Sequence, residues 1–255
     1  MGGAAPLLSG PRRLALAVWA AALAGYGSAA EHLFALGRTW DVAFVALLVL
    51  PAGTGLIWLA LPLAAASGRR LAALIVLAGA LAAGLDRIDL DGPFTVAKLI
   101  SFALVGFALL RAFETLWWLG LVAVLVPLAD VWSVAAGPTR QVLEQQPGLL
   151  ERIAVASPFP GENAAIYLGP PDVMFFALFL AATVRFRLRP APTWLAMTAL
   201  LGVTLALVVF ADVSGLPALP AVCLGFLLPN ADLLWGDARR EWRKRRRSGG
   251  PPPAG

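Results

Sequence analysis

Long apolar runs, broken by short polar turns, fill most of the chain: residues 14–36, 42–66, 71–84, 94–110, 113–136, 170–186, 193–211 and 216–234. Most reach or approach the roughly 20 residues that a helix needs to cross a bilayer. None alternates with period two, so helices are expected rather than a β-barrel. A helix also satisfies its own backbone polar groups, as lipid demands. The pattern predicts an all-α fold, a polytopic transmembrane bundle of about eight helices, or nine if one run is divided differently.

The longest connection, 137–168, mixes Val142, Leu143, Leu149, Leu150, Ile153 and Val155 with charges. It predicts an amphipathic helix lying on the membrane, interrupted at Pro147-Gly148. The first run, with Arg12-Arg13 before it and Ser28-Ala29-Ala30 within it, has the outline of a cleavable signal peptide. Trp19, Tyr26 and the continuation through Leu36 favour a retained helix instead. Three regions follow: N-terminal helices over 1–112, a second helical group with its long loop over 113–234, and a basic, disordered tail over 235–255.

Composition agrees with lipid as the solvent. Hydrophobic residues make up 60% of the chain and mean hydropathy is +0.80, whereas soluble domains are about half apolar. The net charge of +5 is concentrated at 239–247, where seven bases accompany one acid, so the rest of the chain is nearly neutral. Such a segment beside a hydrophobic helix anchors that end in the cytoplasm and touches anionic lipid; it is not the surface of a nucleic-acid-binding protein. Residues 248–255, Ser-Gly-Gly-Pro-Pro-Pro-Ala-Gly, cannot pack a core. Cys223 is the single cysteine, which excludes an intrachain disulfide. Glu31-His32 reads as a membrane-interface feature.

Charge also orients the spans. With the N-terminus inside, the inner segments hold Arg12, Arg13, Arg69, Arg70, Arg111, Arg185, Arg187, Arg189 and the seven tail bases, fifteen of the twenty basic residues. The outer connections are acid-rich, as in Asp86-Arg87-Ile88-Asp89-Leu90-Asp91. An even number of helices with both termini cytoplasmic satisfies the positive-inside rule at every inner turn. The expected location is therefore a cell membrane, as an integral protein.

Two carboxylates interrupt the apolar runs. Asp130 lies about 9 Å inside the end of its run at helical rise, three residues after Pro127. By itself it reads either as an acid reaching interfacial water or as a site. Asp172 follows Gly169-Pro170-Pro171, and an acid after prolines in a first turn is ordinary helix-start chemistry. Position makes the pair more informative than either member. One acid sits near the exit of its helix and the other near the start of the next, so antiparallel helices bring both to the same membrane face. Buried ionisable groups are costly and mark sites, and two close carboxylates can share a proton and activate water. A third segment, Leu216-Pro217-Ala218-Leu219-Pro220, opens the last run. Its prolines leave backbone carbonyls unpaired, tolerable at membrane depth only beside protein or water. It reads as a plain turn or as a cavity lining that pairs with an extended peptide.

The ordered trio Ala129-Asp130, Gly169-Pro170-Pro171-Asp172 and Pro217-Ala218-Leu219 resembles the intramembrane aspartyl proteases of the presenilin and signal peptide peptidase class, in a prokaryotic form. Those proteins carry Tyr-Asp, Gly-x-Gly-Asp and Pro-Ala-Leu on three helices. Gly137-Pro138-Thr139-Arg140-Gln141-Val142-Leu143-Glu144 is similar to a presenilin stretch, and Phe175-Phe176 also suits the family. The likeness covers about residues 113–234 and departs at Ala129, in place of tyrosine, and at Pro171, in place of the second glycine. It implies hydrolysis of peptide bonds within transmembrane segments by an Asp130/Asp172 dyad, one ionised and one protonated. It implies substrate contacts at Gly169, Pro170, Pro171 and Leu216 to Pro220, transmembrane-helix proteins or peptides as partners, and no metal or organic cofactor. The charge-derived topology is that of signal peptide peptidase rather than presenilin, which favours substrates with cytoplasmic N-termini. The alternatives are a transporter or assembly factor using the two acids for protons or structure, and a relative that binds transmembrane helices without cutting them.

Overall fold

The computed structural model describes residues 8–136, 152–211 and 217–248. Among them the chain forms eight helical rods and one β-hairpin. The rods are α1 (Gly10–Ala29); α2 (Arg38–Phe44) continued by α3 (Leu50–Ala60); α4 (Gly68–Asp86); α5 (Asp91–Leu109); α6 (Leu116–Ala136); α7 (Pro170–Arg185); α8 (Pro190–Phe210); and α9 (Leu219–Ser248). The hairpin pairs β1 (Val155–Pro158) antiparallel with β2 (Ala165–Leu168). The fold is an all-α polytopic bundle, and six of its helical segments are long and apolar enough to span a membrane. The protein is an integral membrane protein.

Local chemistry explains the boundaries. Pro11 at the start of α1, Pro170-Pro171 at the start of α7 and Pro190 at the start of α8 occupy first-turn positions where a missing N–H costs nothing. Pro51 falls inside the second rod, where it can donate nothing to the preceding turn. The five residues Val45–Val49, which end two residues before it, wind as a π-helical turn, and the rod continues from Leu50. Pro229 lies inside α9, which continues as an α-helix through it. There the buried Asn230 amide donates to Phe226 O at 2.8 Å and to Thr193 Oγ1 at 2.8 Å, and its Oδ1 accepts the Arg189 N–H at 3.1 Å.

Eight successive rods alternate in direction, so the start of α1 and the end of α9 lie on one face, here the termini face. The ends of α1, α4 and α6 and the starts of α5, α7 and α9 lie on the other, here the loop face. The centre of the bundle is α7. Its Val173 and every residue from Phe176 to Thr183 are buried, as expected of a helix apolar on all sides. It is enclosed by α5, α8 and α9; α5 also packs on α1 and α4, and α6 packs on α9. Phe179 of α7 stacks on Phe226 of α9 with centroids 4.5 Å apart. The outer surface carries exposed Leu47, Leu77, Val124, Leu128, Val203 and Leu228, side chains that lipid rather than water solvates. Trp40 and Trp132 near the loop face, and Trp118 and Trp235 toward the other, are exposed at the levels where aromatic belts form.

Two expectations need correction. The connection before α7 does not continue as an amphipathic helix: from Val155 it is a β-hairpin, in which Val155 and Ser157 alternate inward while Ala156 and Pro158 are less buried. The earlier part of that connection, 137–151, lies outside the described residues. The basic segment expected as a disordered tail from 235 is instead the end of α9 as far as Ser248, because its arginines, Lys244 and Glu241 are good helix formers. Residues 249–255, and Leu216 of the third motif, lie outside the described residues.

Close helix approach depends on small residues. A Cβ on Gly106 of α5 would stand 2.3 Å from Met174 O and 2.9 Å from Ala177 Cβ of α7. Gly106→Val therefore pushes α5 away from α7. The expected cost is about 1–3 kcal/mol, read as a lower unfolding temperature in detergent micelles, whereas Gly84→Val, in open space, should leave it nearly unchanged.

Candidate functional site

The three motif segments meet on the loop face. Asp172 is the third residue of α7, and its Oδ2 accepts the N–H of Gly169, the residue that caps the helix, at 2.9 Å. This is the acid half of a capping box, and it holds the carboxylate over the positive end of α7. Asp130 comes from α6, three residues beyond Pro127. Its Oδ2 accepts the N–H of Leu219, the first residue of α9, at 3.3 Å. Ala218 caps α9, its carbonyl accepting the Val222 N–H at 3.2 Å. Because Pro220 has no N–H, Leu219 offers one of the few donors at that end, and Asp130 satisfies it.

The two carboxyl groups are near enough for the charge of Asp130 to act on Asp172. They meet by way of a third helix: α6 packs on α9, and α9 on α7. Cys223, fully buried in α9, lies within electrostatic reach of both acids. Its role as the neighbour of both was missed in the sequence. The available signal was its four-residue spacing from Leu219, which puts both on one helix face. Each acid has one oxygen committed to a backbone N–H. Among the described residues neither makes an ion pair with a basic side chain.

Of the other residues singled out, Gly169 holds Asp172 directly, and Pro170 and Pro171 form the first turn of α7. Pro217 and Ala218 are part-buried at the mouth of α9, and Leu219 is buried. Pro220 occupies the first turn of α9. Ala129 and Pro171 are exposed.

Asp172 also borders a cavity of about 40 Å³, whose wall includes Thr54, Ser157, Leu168 and Phe176. Such a space holds one or two waters when polar groups line it. Thr54 of α3 and Thr198 of α8 share a buried hydrogen bond at 3.0 Å. Nearer the surface lies a wider cleft of about 470 Å³ that shares Val49, Gly53, Leu99, Val155 and Ser157 with the cavity and is lined by Glu31, Asp86, Asp89 and Asp91. A polar entrance on the loop face thus adjoins the space beside Asp172.

The hairpin lines both spaces through Val155 and Ser157 and leads straight into Gly169. It is fastened at several points. Tyr26 OH donates to Pro158 O at 2.6 Å, and the Gly161 N–H donates to Ala30 O at 2.7 Å. Gly161 has φ +69°, and a Cβ there would stand 2.4 Å from Ala35 N, so only glycine lets the hairpin tip dock on the turn after α1. Lys98 of α5 is buried, lies over the Phe94 ring, and donates to Arg152 O at 3.1 Å and to Ala154 O. Hydrogen bonds from a charged donor contribute roughly 1.5–3 kcal/mol each. Lys98→Met should therefore free the hairpin, seen as hydrogen exchange of the 155–168 amides at least about tenfold faster, with α8 amides unchanged.

Compared with protein-family models, with curated proteins and with solved structures, the chain matches none, so its functional reading rests on the order of its motifs and on the geometry of this site.

Proposed function

We propose that the chain is an intramembrane aspartyl endopeptidase, hydrolysing peptide bonds within transmembrane segments through Asp130 and Asp172. One observation carries the reading. The segments that resemble the three protease motifs come from three different helices, and they come together at the start of α9, where Asp130 accepts the Leu219 N–H and α9 packs on both α6 and α7. A transporter or an assembly factor needs acids at membrane depth, but it has no need for the start of α9 to be tied to one of them.

The chemistry follows from a pair of like groups that cannot both ionise cheaply. The ionised member takes a proton from a water held between the pair. That water attacks the scissile carbonyl, whose oxygen receives a hydrogen bond from the protonated member. The resulting proton returns to the leaving amine as the C–N bond breaks. The protons belong to the pair rather than to either residue. A substrate helix must unwind to expose its carbonyl. The outer edge of β2, the less buried strand, offers backbone groups to an extended segment, and β2 ends four residues before Asp172. Pro217 and Ala218 support the same segment from the α9 side.

The distribution of charge supports an external loop face and cytoplasmic termini, which matches substrates with cytoplasmic N-termini. Tags inserted within 137–151 should be accessible only from outside intact cells; a tag labelled only after permeabilisation would reverse the orientation.

Purified protein in micelles is expected to cleave a fluorogenic transmembrane peptide. Asp130→Ala and Asp172→Ala should each lower the rate at least about 100-fold, with unfolding temperatures lowered only by the loss of one helix-start contact, about 1 kcal/mol each. Product formed equally by the parent and both variants would remove the protease reading. Proton-coupled solute uptake into vesicles, lost in the same variants, would establish a transporter instead.

A further inference from the structure

On the termini face, opposite the two carboxylates, four helix ends leave a cleft of about 660 Å³. Its walls are apolar, with Leu61, Phe107, Leu110 and Val184 prominent, and its charged groups are Arg12, Arg111 and Arg185. They arrive from three separate places: the first turn of α1, the turn after α5 and the last residue of α7.

Each guanidinium is held in place by helix-end carbonyls. Arg12 donates from Nε to Leu59 O at 2.9 Å and from Nη2 to Trp58 O at 2.8 Å. Arg185 Nη1 donates to Leu110 O at 2.7 Å, and Arg111 Nη2 donates to Ala66 O. These bonds fix the orientation of the arginines but use only part of their donors, since a guanidinium carries five N–H groups. No carboxylate lines the cleft, and among the described residues none pairs with any of the three arginines. Arg189, on the same face, shows the contrast: it meets Asp232 with two hydrogen bonds of 2.9 and 2.7 Å. Three oriented cations around an apolar cleft thus have no counter-anion among the described residues.

We propose that this cleft binds the phosphate headgroup of an anionic phospholipid. The planar forks of arginine suit phosphate oxygens. The apolar walls suit the glycerol and upper acyl chain, which a free phosphate would leave unfilled. The position at the helix ends is the depth at which headgroups lie. A lipid seated there ties α1, α5 and α7 together at the end of the bundle away from the carboxylates.

The test measures lipid retained by the full-length protein after delipidation and exchange, using phosphatidylglycerol, phosphatidylcholine and glycerol 3-phosphate as probes and native mass spectrometry as the readout. Phosphatidylglycerol should be retained in preference to phosphatidylcholine. Arg12→Gln with Arg185→Gln should reduce its retention roughly 30-fold, about fivefold per arginine. Arg239→Gln with Arg240→Gln, in the basic end of α9, should change it less than about twofold. Because Arg12 also holds the end of α3, Arg185→Gln alone is read beside the pair, with a fivefold loss expected. Equal retention of both lipids, or retention unaffected by Arg185→Gln, would overturn the proposal. Glycerol 3-phosphate binding as tightly as the lipid would assign the cleft to a soluble phosphate compound and overturn the lipid assignment.

Discussion

The carboxylate of Asp130 at the first N–H of α9 is the contact on which the loop face depends. A helix that starts inside a membrane protein exposes donors with no partner in lipid, and a carboxylate held at that depth lacks the water that would solvate it. The 3.3 Å bond to Leu219 answers both needs at once. Asp172 meets the same requirement over the start of its own helix, through Gly169. Two helix N-termini therefore supply the positive ends that basic side chains would otherwise have to provide. An arginine or lysine in their place would form a static ion pair. Among the described residues, backbone donors leave one oxygen of each acid uncommitted.

The hairpin adds the second constraint. The sheet is only two strands wide, and two strands are marginal alone. Its position comes from groups outside it: the Tyr26 hydroxyl, the Ala30 carbonyl and the Lys98 ammonium. Lys98 is costly to bury, and the carbonyls of Arg152 and Ala154 together with the Phe94 ring offset that cost. Since β2 runs directly into Gly169, the same fastenings set where α7 begins and where Asp172 points. Catalysis of the proposed kind would need this wall to admit a peptide, so the polar cleft beside it and the less buried edge of β2 belong to one functional unit.

The eight rods were legible because membrane helices announce themselves by length and apolarity, and those signals do not depend on neighbours. The shared face of Asp130 and Asp172 was legible for a similar reason, since it follows from counting direction changes. What was not legible depended on contacts distant in sequence. Val155 and Ile166 lie in a connection whose apolar residues fit an amphipathic helix as well as a strand, and pairing between 155–158 and 165–168 decides the matter. Nothing in the order of residues reveals that α9 packs on both α6 and α7, so the nearness of Cys223 to both acids was hidden. The basic end of α9 was read by composition, which marks solvation but not helicity.

The length of α7 connects the two faces. Its sixteen residues span about 24 Å, less than the roughly 30 Å of hydrocarbon in a typical bilayer. At least one end must lie below the level of bulk water. Both ends carry charge of the sign that the helix dipole favours, Asp172 at the start and Arg185 at the finish, yet the dipole alone is too weak to retain a charge in lipid. At the start, the hairpin leads into the helix, and a polar cleft adjoins the small cavity beside Asp172. At the finish, the described residues provide no carboxylate for Arg185, only a carbonyl and two more arginines around an apolar cleft. A short central helix thus creates two sites of unfinished solvation, one acidic and closed by the protein's own chain, the other basic and open to an anion from the membrane.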